Sequence, residues 1–415
     1  MDTIKKEAIE KQLNKTIILI SFIEVAILKW LNLHTYGGYI LDILILTSIF
    51  LFFKKYDIKT LTISVIICIY TLLSYLLFGG TLKNTIANIR DIFPVLFIIN
   101  FVIYLLSNYN IYEYFNKLFI PINIYMLLNV IVLILEQMGY IYLSGIKAFH
   151  DFTFTYTWDS VSGLFGIYGQ SALAFYNSFV LLYNLIYIKH ISNRKHKLIL
   201  NIYNLLLLFF TLFISAISDN KIYFIFLLMF VFLFIVNSCI DKYEPKKIII
   251  FSLIFIVFCA VTFFISYTYL DSFKGLINRI LKAFIGGINT ESMYTDGSGE
   301  RFGLIVHYIK QLNLLFGNGL GNLRWAQSGG LGFKHFGISD LGTILCMGGF
   351  ILLLLYFLLF NFLFKYIFEN KFIRLLVFLI TIVVLFCTQI IANISTMSIY
   401  ILVLLTISWN NKITN

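Results

Sequence analysis

Charged side chains are scarce in this chain: of 415 residues only 20 are Asp or Glu and 31 are Lys or Arg, against 60% hydrophobic residues. With a mean hydropathy of +0.90, a soluble domain is excluded, because the apolar residues far exceed what one core can bury. Cysteines are few and isolated. Cys68, Cys239, Cys259, Cys346 and Cys387 lie within or beside apolar runs with no C-x-x-C spacing, which argues against a disulfide framework or a zinc site. The connections expected outside contain no D-x-D and no clustered carboxylates, so no bound metal and no other cofactor is expected. No repeat of fixed period appears, and no matched pair of Gly- or Pro-interrupted runs suggests inverted transporter halves.

What is present is a series of apolar runs of membrane-spanning length. Reading stretches of roughly 17 to 24 apolar residues as spans places them near 17–34, 38–53, 60–79, 91–107, 120–136, 171–188, 198–215, 222–240, 248–270, 341–364, 375–391 and 394–409. The expected fold is therefore all-α. It is a polytopic membrane helix bundle of about twelve transmembrane helices, forming a single integral membrane domain over residues 1–415. The first span follows a charged, helical-looking segment without a small-residue cleavage pattern, so it reads as an uncleaved membrane helix.

The basic short connections should be cytoplasmic. They are the N-terminus with Lys5, Lys6, Lys11 and Lys15, then Lys54 and Lys55, Lys189 to Lys197, Lys242 to Lys247, and Lys365 to Arg374. These alternate correctly for both termini inside. The net charge of +11 is then explained by positive-inside bias and anionic lipid, and nucleic acid is not expected as a partner. The same alternation puts 80–90, 137–170, 216–221 and 271–340 outside.

Residues 137–170 form the first sizeable outer loop, rich in aromatics and glycine, with Lys147, His150, Asp151, Trp158 and Asp159. That composition suits a sugar-binding surface, and it equally suits an interfacial aromatic belt. The large loop 271–340, between the ninth and tenth spans, is the more informative. It carries Arg279, Arg301, Arg324, His307, His335 and Asp340, and the segment G-S-G-E-R-F-G-L-I-V-H-Y-I-K-Q-L-N-L-L-F-G-N-G-L-G. Phe302, Ile305, Ile309, Leu312 and Phe316 recur at helical spacing, which predicts an amphipathic helix from Glu300 to Phe316. Asp296 or Ser298 can cap its start, and Gly317 can end it in a left-handed conformation. Arg301 then sits in the first turn, where free N–H groups and the helix dipole favour an anion such as phosphate.

In R-x15-G from Arg301 to Gly317, in the alternating glycines that follow, and in S-D-L-G-T-I-L-C-M-G-G-F at 339–350, the chain resembles the bacterial O-antigen and capsular polysaccharide polymerases and the related O-antigen ligases. The resemblance extends to the layout of about twelve spans with a large late outer loop. It implies glycosyl transfer on the outer face of the bacterial cytoplasmic membrane between glycans carried on undecaprenyl diphosphate. It also implies a chain-length regulator and a flippase as partners, besides the bilayer. An acceptor hydroxyl would attack the anomeric carbon while lipid diphosphate leaves, a leaving group that needs charge neutralisation more than a proton.

Arginines supply paired donors for that purpose. The resemblance marks Arg301, His335 and Asp340 as catalytic, His335 being the base and Asp340 its orienting partner. Lys221, Arg279, Arg324, Arg90, His307, Gly317 and Gly319 are the candidate substrate-binding residues. Lys221 stands where many relatives show a Ser-Arg pair. If Arg301 and Gly317 lie on one straight helix they are roughly 24 Å apart, too far to share a diphosphate. Gly317, Gly319 and Gly321 are thus either turn formers that return the chain to the bundle or amides that cradle phosphate. Two other activities remain open: a ligase passing finished glycan to another acceptor, and a flippase for the same lipid-linked oligosaccharide.

Overall fold

In hydrocarbon every backbone N–H and C=O must be satisfied within its own segment, so long apolar runs fold as helices. The structure is a computed structural model in which residues 3–23, 27, 34–137, 163–166, 169–189, 191, 193–217, 221–239, 313–319, 321 and 339–414 are described. The helices are α1 (Thr3–Ile23), α2 (His34–Phe52), α3 (Ile58–Phe78), α4 (Leu82–Asn108), α5 (Phe119–Gln137) and α6 (Gln170–Lys189). They continue as α7 (Arg194–Ile217), α8 (Lys221–Cys239), α9 (Asp340–Ile367), α10 (Lys371–Cys387) and α11 (Ile394–Thr414). The described residues contain no β-strand.

Against an expected count of about twelve, the described residues contain eight helices long and apolar enough to cross a membrane: α3, α4, α5 with the turns before it, α6, α7, α8, α9 and α11. The expected span at 248–270 lies outside the described residues. At the N-terminus, the charged segment and the first apolar residues share one helix, α1, and a new helix begins at His34, the last residue of the first expected span.

Polarity sorts these helices radially. Along their apolar stretches α6 and α11 are 83% and 78% buried, whereas α3 and α7 are 28% buried. The two most buried helices are also the least apolar of the eight. A helix facing lipid must be apolar all round, while a central one can carry groups that bond its neighbours. Those bonds are visible. Asn123 and Asn184 exchange side-chain hydrogen bonds between α5 and α6, both at 3.0 Å, and Asn100 of α4 donates to Ser64 of α3 at 2.7 Å. Hydroxyl pairs join α7 to α8 through Thr211 and Tyr223, and α10 to α11 through Thr381 and Tyr400.

The basic connections within the described residues meet at one end of the bundle. Lys55 pairs with Glu10 at 2.7 Å, and Tyr366 donates to Asp57 at 2.8 Å. Lys189 donates to Asn410 at 2.9 Å, and Lys412 lies 3.5 Å from Glu369. Following each helix from these contacts brings the α3–α4, α5–α6 and α10–α11 connections and the start of α9 to the opposite end.

At the basic end Glu10 is almost fully buried. Burial opposes its charged form, but hydrogen bonds from Lys55, Tyr104 and Tyr109 and the Lys55 charge outweigh that and hold the carboxyl below its usual 4.5. The Glu10 hydrogen bond in turn raises Lys55 above its usual 10.5 despite some burial. The Glu10 contribution is present above the unfolded carboxyl value and lost as pH falls through the lower folded one. The Lys55 contribution is present below the unfolded ammonium value and lost as pH rises through the higher folded one. Glu10→Gln should therefore lower stability by about 1–2 kcal/mol at neutral pH, a difference that narrows as pH falls below the ordinary carboxyl value of 4.5. Denaturant titrations of both proteins at several pH values measure this, and a gap that does not narrow in acid would contradict it.

Candidate anchoring site of the large outer connection

The start of α9 is built around two adjacent polar residues. The Ser339 hydroxyl caps the helix by accepting from the Gly342 amide at 3.2 Å. Asp340, in the first turn where the helix dipole favours a carboxylate, is fully buried. Its Oδ2 accepts from the amides of Ile390 and Ile391 at 2.5 and 2.6 Å, and its own amide donates to the Thr388 carbonyl at 3.0 Å. The six residues between α10 and α11 are irregular and largely buried, a state that needs each amide satisfied. Asp340 satisfies two of them.

Nine residues further along, α9 breaks. Gly349 has φ +63° and ψ −162°, a conformation essentially restricted to glycine. The break withdraws the usual helical partners from the Cys346 and Met347 carbonyls and from the Phe350 and Ile351 amides. All four are taken by one distant segment. The Phe350 and Ile351 amides donate to the Leu314 and Leu315 carbonyls at 3.1 Å each, and the Asn318 and Gly319 amides donate to the Cys346 and Met347 carbonyls at 2.9 Å each. Tyr70 of α3 adds a bond to the Gly348 carbonyl at 2.7 Å.

The glycines permit this because the backbones nearly touch. A side chain at Gly349 would meet the Leu315 carbonyl oxygen at 2.3 Å, and one at Gly317 would meet the Gly349 amide at 2.7 Å. Gly317 takes the expected positive φ of +68° and its amide donates to Asn313. Gly319 presses on Phe78 and Ser74 of α3, and Gly321 on the Gly79 carbonyl and Thr85. The Gly321 carbonyl then accepts from Thr81 at 2.9 Å and from Asn84 at 3.3 Å. The alternating glycines thus join the α9 break to the α3–α4 turn.

This segment does not lie wholly outside the bundle, as expected for the 271–340 loop. The break is nine residues below Asp340, and Tyr70 eight residues below the end of α3, so Leu314–Gly319 reaches about 12 Å into the helix wall. Its side chains fit that position, since Leu314 and Leu315 are exposed while the backbone around them is bonded inward. The break is signalled in the sequence only by the Gly348-Gly349 pair inside an apolar run.

The first outer loop ends in a similar device. The Gly163 amide donates to Glu136 at 2.8 Å and the Leu164 amide to Asn129 at 2.9 Å, with Phe165 fully buried between α5 and α6. Glu136, the last residue of its expected span, is fully buried and holds this turn.

Three expected site residues are engaged by the chain's own backbone. Asp340 is buried and bound to the Ile390 and Ile391 amides, and so ties the α10–α11 connection to the start of α9. Gly317 and Gly319 direct their amides to the Asn313 and Met347 carbonyls and form turns. Arg90 is exposed on α4 with its guanidinium 4.5 Å over the Tyr39 ring. Lys221 opens α8. Arg279, Arg301, His307, Arg324 and His335, the predicted helix up to Leu312, and the Lys221 side chain lie outside the described residues.

Two clefts among the described residues open at the basic end. One, of about 510 Å³, lies between the starts of α3 and the end of α9; the other, of about 680 Å³, runs beneath Tyr112 and Trp409. No protein-family model matches the chain, and a search of curated proteins returns no match.

Proposed function

We propose that this protein is a membrane glycosyltransferase that joins lipid-diphosphate-linked oligosaccharide repeat units on the outer face of a bacterial cytoplasmic membrane. The basic end of the bundle faces the cytoplasm, with both termini inside. The acceptor sugar hydroxyl attacks the anomeric carbon of the donor glycan. A new C–O bond forms, the bond to diphosphate breaks, and its electron pair leaves with the lipid diphosphate. The hydroxyl proton passes to His335, whose intrinsic pKa suits a base near neutrality. Arg301 neutralises the leaving diphosphate, with Arg279, Arg324 and Lys221 binding the two lipid-linked glycans and His307 and Arg90 at the margins of the site.

The observation that carries this reading is the anchoring of the large outer connection at two points. The Leu314–Gly319 backbone is hydrogen-bonded into the α9 break, and Asp340 ties the far end to Ile390 and Ile391. The 17 residues 322–338, with Arg324 and His335, run between these feet. A catalytic loop has to present its charges reproducibly, and rigid attachment serves that need. The residues that resemble the polymerases, Gly317 onward and 339–350, are the ones that make the attachment. A transporter reading would draw on the broken helix, but the groups that such a break frees for a substrate are here engaged by the chain's own backbone.

Purified protein given a synthetic undecaprenyl-diphosphate repeat unit without divalent metal should yield a ladder of repeat multiples. Arg301→Ala should lower its rate by about 10²–10³-fold, as loss of one charge-stabilising donor does. Transfer only to a different acceptor would assign the ligase reaction instead, and an undiminished ladder from Arg301→Ala would remove that residue from the site.

A further inference from the structure

The cleft at the basic end has a composition that the transfer reaction does not use. Three lysines line it, Lys55, Lys59 and Lys365, together with one carboxylate, Asp57. That carboxylate is already committed on both oxygens. Oδ1 accepts from the Lys59 backbone amide at 2.8 Å, capping α3, and Oδ2 accepts from the Tyr366 hydroxyl at 2.8 Å. Lys55 is paired with Glu10. Lys59 and Lys365 are exposed, on the two helices that form the cleft walls, with no carboxylate partner among the described residues.

Two lysines without an ion-pair partner among the described residues therefore outnumber the one carboxylate, Asp57, around a cleft of about 510 Å³, within the range of about 300–1,000 Å³ usual for small-ligand sites. Its walls are not polar throughout. Ile58, 62% exposed, and Phe362 line it as well, and they continue the apolar flanks of α3 and α9. The cleft thus offers cationic and apolar groups side by side at the level where the helices end. A soluble anion has no use for the apolar side. A glycerophospholipid uses both.

We propose that this cleft is a binding site for one anionic phospholipid, its phosphate held between Lys59 and Lys365 and the upper part of an acyl chain against Ile58 and Phe362. A basic pocket between membrane helices recognises headgroups in this way. A choline headgroup would bring a second cation against the lysines and is disfavoured. The site does not depend on the reaction assigned to the opposite end.

Native mass spectrometry of the full chain in detergent, titrated with phosphatidylglycerol or phosphatidylcholine, tests this. One phosphatidylglycerol per chain should be retained, and phosphatidylcholine at least tenfold more weakly. The double variant Lys59→Ala/Lys365→Ala should weaken phosphatidylglycerol roughly thirtyfold, as expected for two lysines near an anionic headgroup. The arginine double variant should restore binding. Lys117→Ala, at the same end but outside the cleft, should leave it unchanged. Equal retention of phosphatidylcholine, unchanged binding by the double alanine variant, or equal weakening by Lys117→Ala would overturn the proposal. So would displacement of the lipid by millimolar inorganic phosphate, which would mark a site for a free anion. Thermal melts of each variant separate lost binding from lost folding. Should the alanine pair fail to fold, Lys59→Gln and Lys365→Gln singly read the same contrast.

Discussion

Gly349→Ala should destabilise the protein by about 5 kcal/mol, far more than an ordinary glycine substitution. Two penalties combine. The backbone at φ +63° and ψ −162° lies in a region that only glycine populates freely, which costs of order 1–3 kcal/mol for alanine. The new methyl would also sit 2.3 Å from the Leu315 carbonyl oxygen, a backbone atom that moves only if the Leu314–Gly319 segment moves. The four backbone hydrogen bonds it makes with α9, at about 1 kcal/mol each, would then be weakened or lost.

Gly79 provides a matched control. Its backbone lies in the same region, φ +72° and ψ −149°, but a side chain there meets nothing within 4 Å. Gly79→Ala should therefore show the conformational penalty alone, about 1–3 kcal/mol. Chemical or thermal unfolding in detergent compares the two. Equal losses would mean that the segment bonded to α9 adds nothing to stability. Cys346, 1% exposed beside the break, supplies a local readout. In a background lacking the other cysteines, its thiol should resist maleimide in the parent protein and react in Gly349→Ala. On the proposed reaction, the same variant should also shorten or abolish the glycan ladder, because one foot of the loop is released.

Asp340→Ala should cost about 3–5 kcal/mol, since it removes two charge-assisted hydrogen bonds and strands two buried amides at Ile390 and Ile391. Asp340→Asn keeps a carbonyl oxygen at the same place and gives up the charge, so a loss of about 1–2 kcal/mol is expected. The pair separates a structural latch from a catalytic group. A latch predicts that activity per folded molecule survives in Asp340→Asn and that stability falls in the order parent, Asn, Ala. Were Asp340→Asn fully stable and inactive, the carboxylate would belong to the chemistry, and the assignment made from its burial would fall.

The two variants also mark where the sequence was readable. Gly317 was legible as a left-handed residue because a glycine after a periodic apolar run has few other uses, and φ +68° agrees. The partners of that residue were not legible. Leu314–Gly319 meets Cys346–Ile351 through backbone groups, and every residue has the same backbone groups. Asp340 was singled out for its acidity near His335, yet its partners are amides fifty residues later. Glu136 was placed near a span end by counting, while its contact with Gly163 depends on how a turn re-enters between α5 and α6. A carboxylate that serves a backbone amide leaves no complementary residue type to be found.

The sequence by itself determined the all-helical, membrane-embedded character of the chain, the approximate limits of its described long helices after the first, and the gathering of its described basic connections at one end. These follow from transfer of apolar residues out of water and from charge avoiding hydrocarbon, which are properties of each segment alone. Only the tertiary structure decided that α9 is broken, that part of the large outer connection is drawn into the helix wall to complete it, and that Asp340, Gly317 and Gly319 hold the scaffold. Those outcomes are set by unsatisfied backbone groups finding partners far along the chain, and no local pattern of side chains encodes that search.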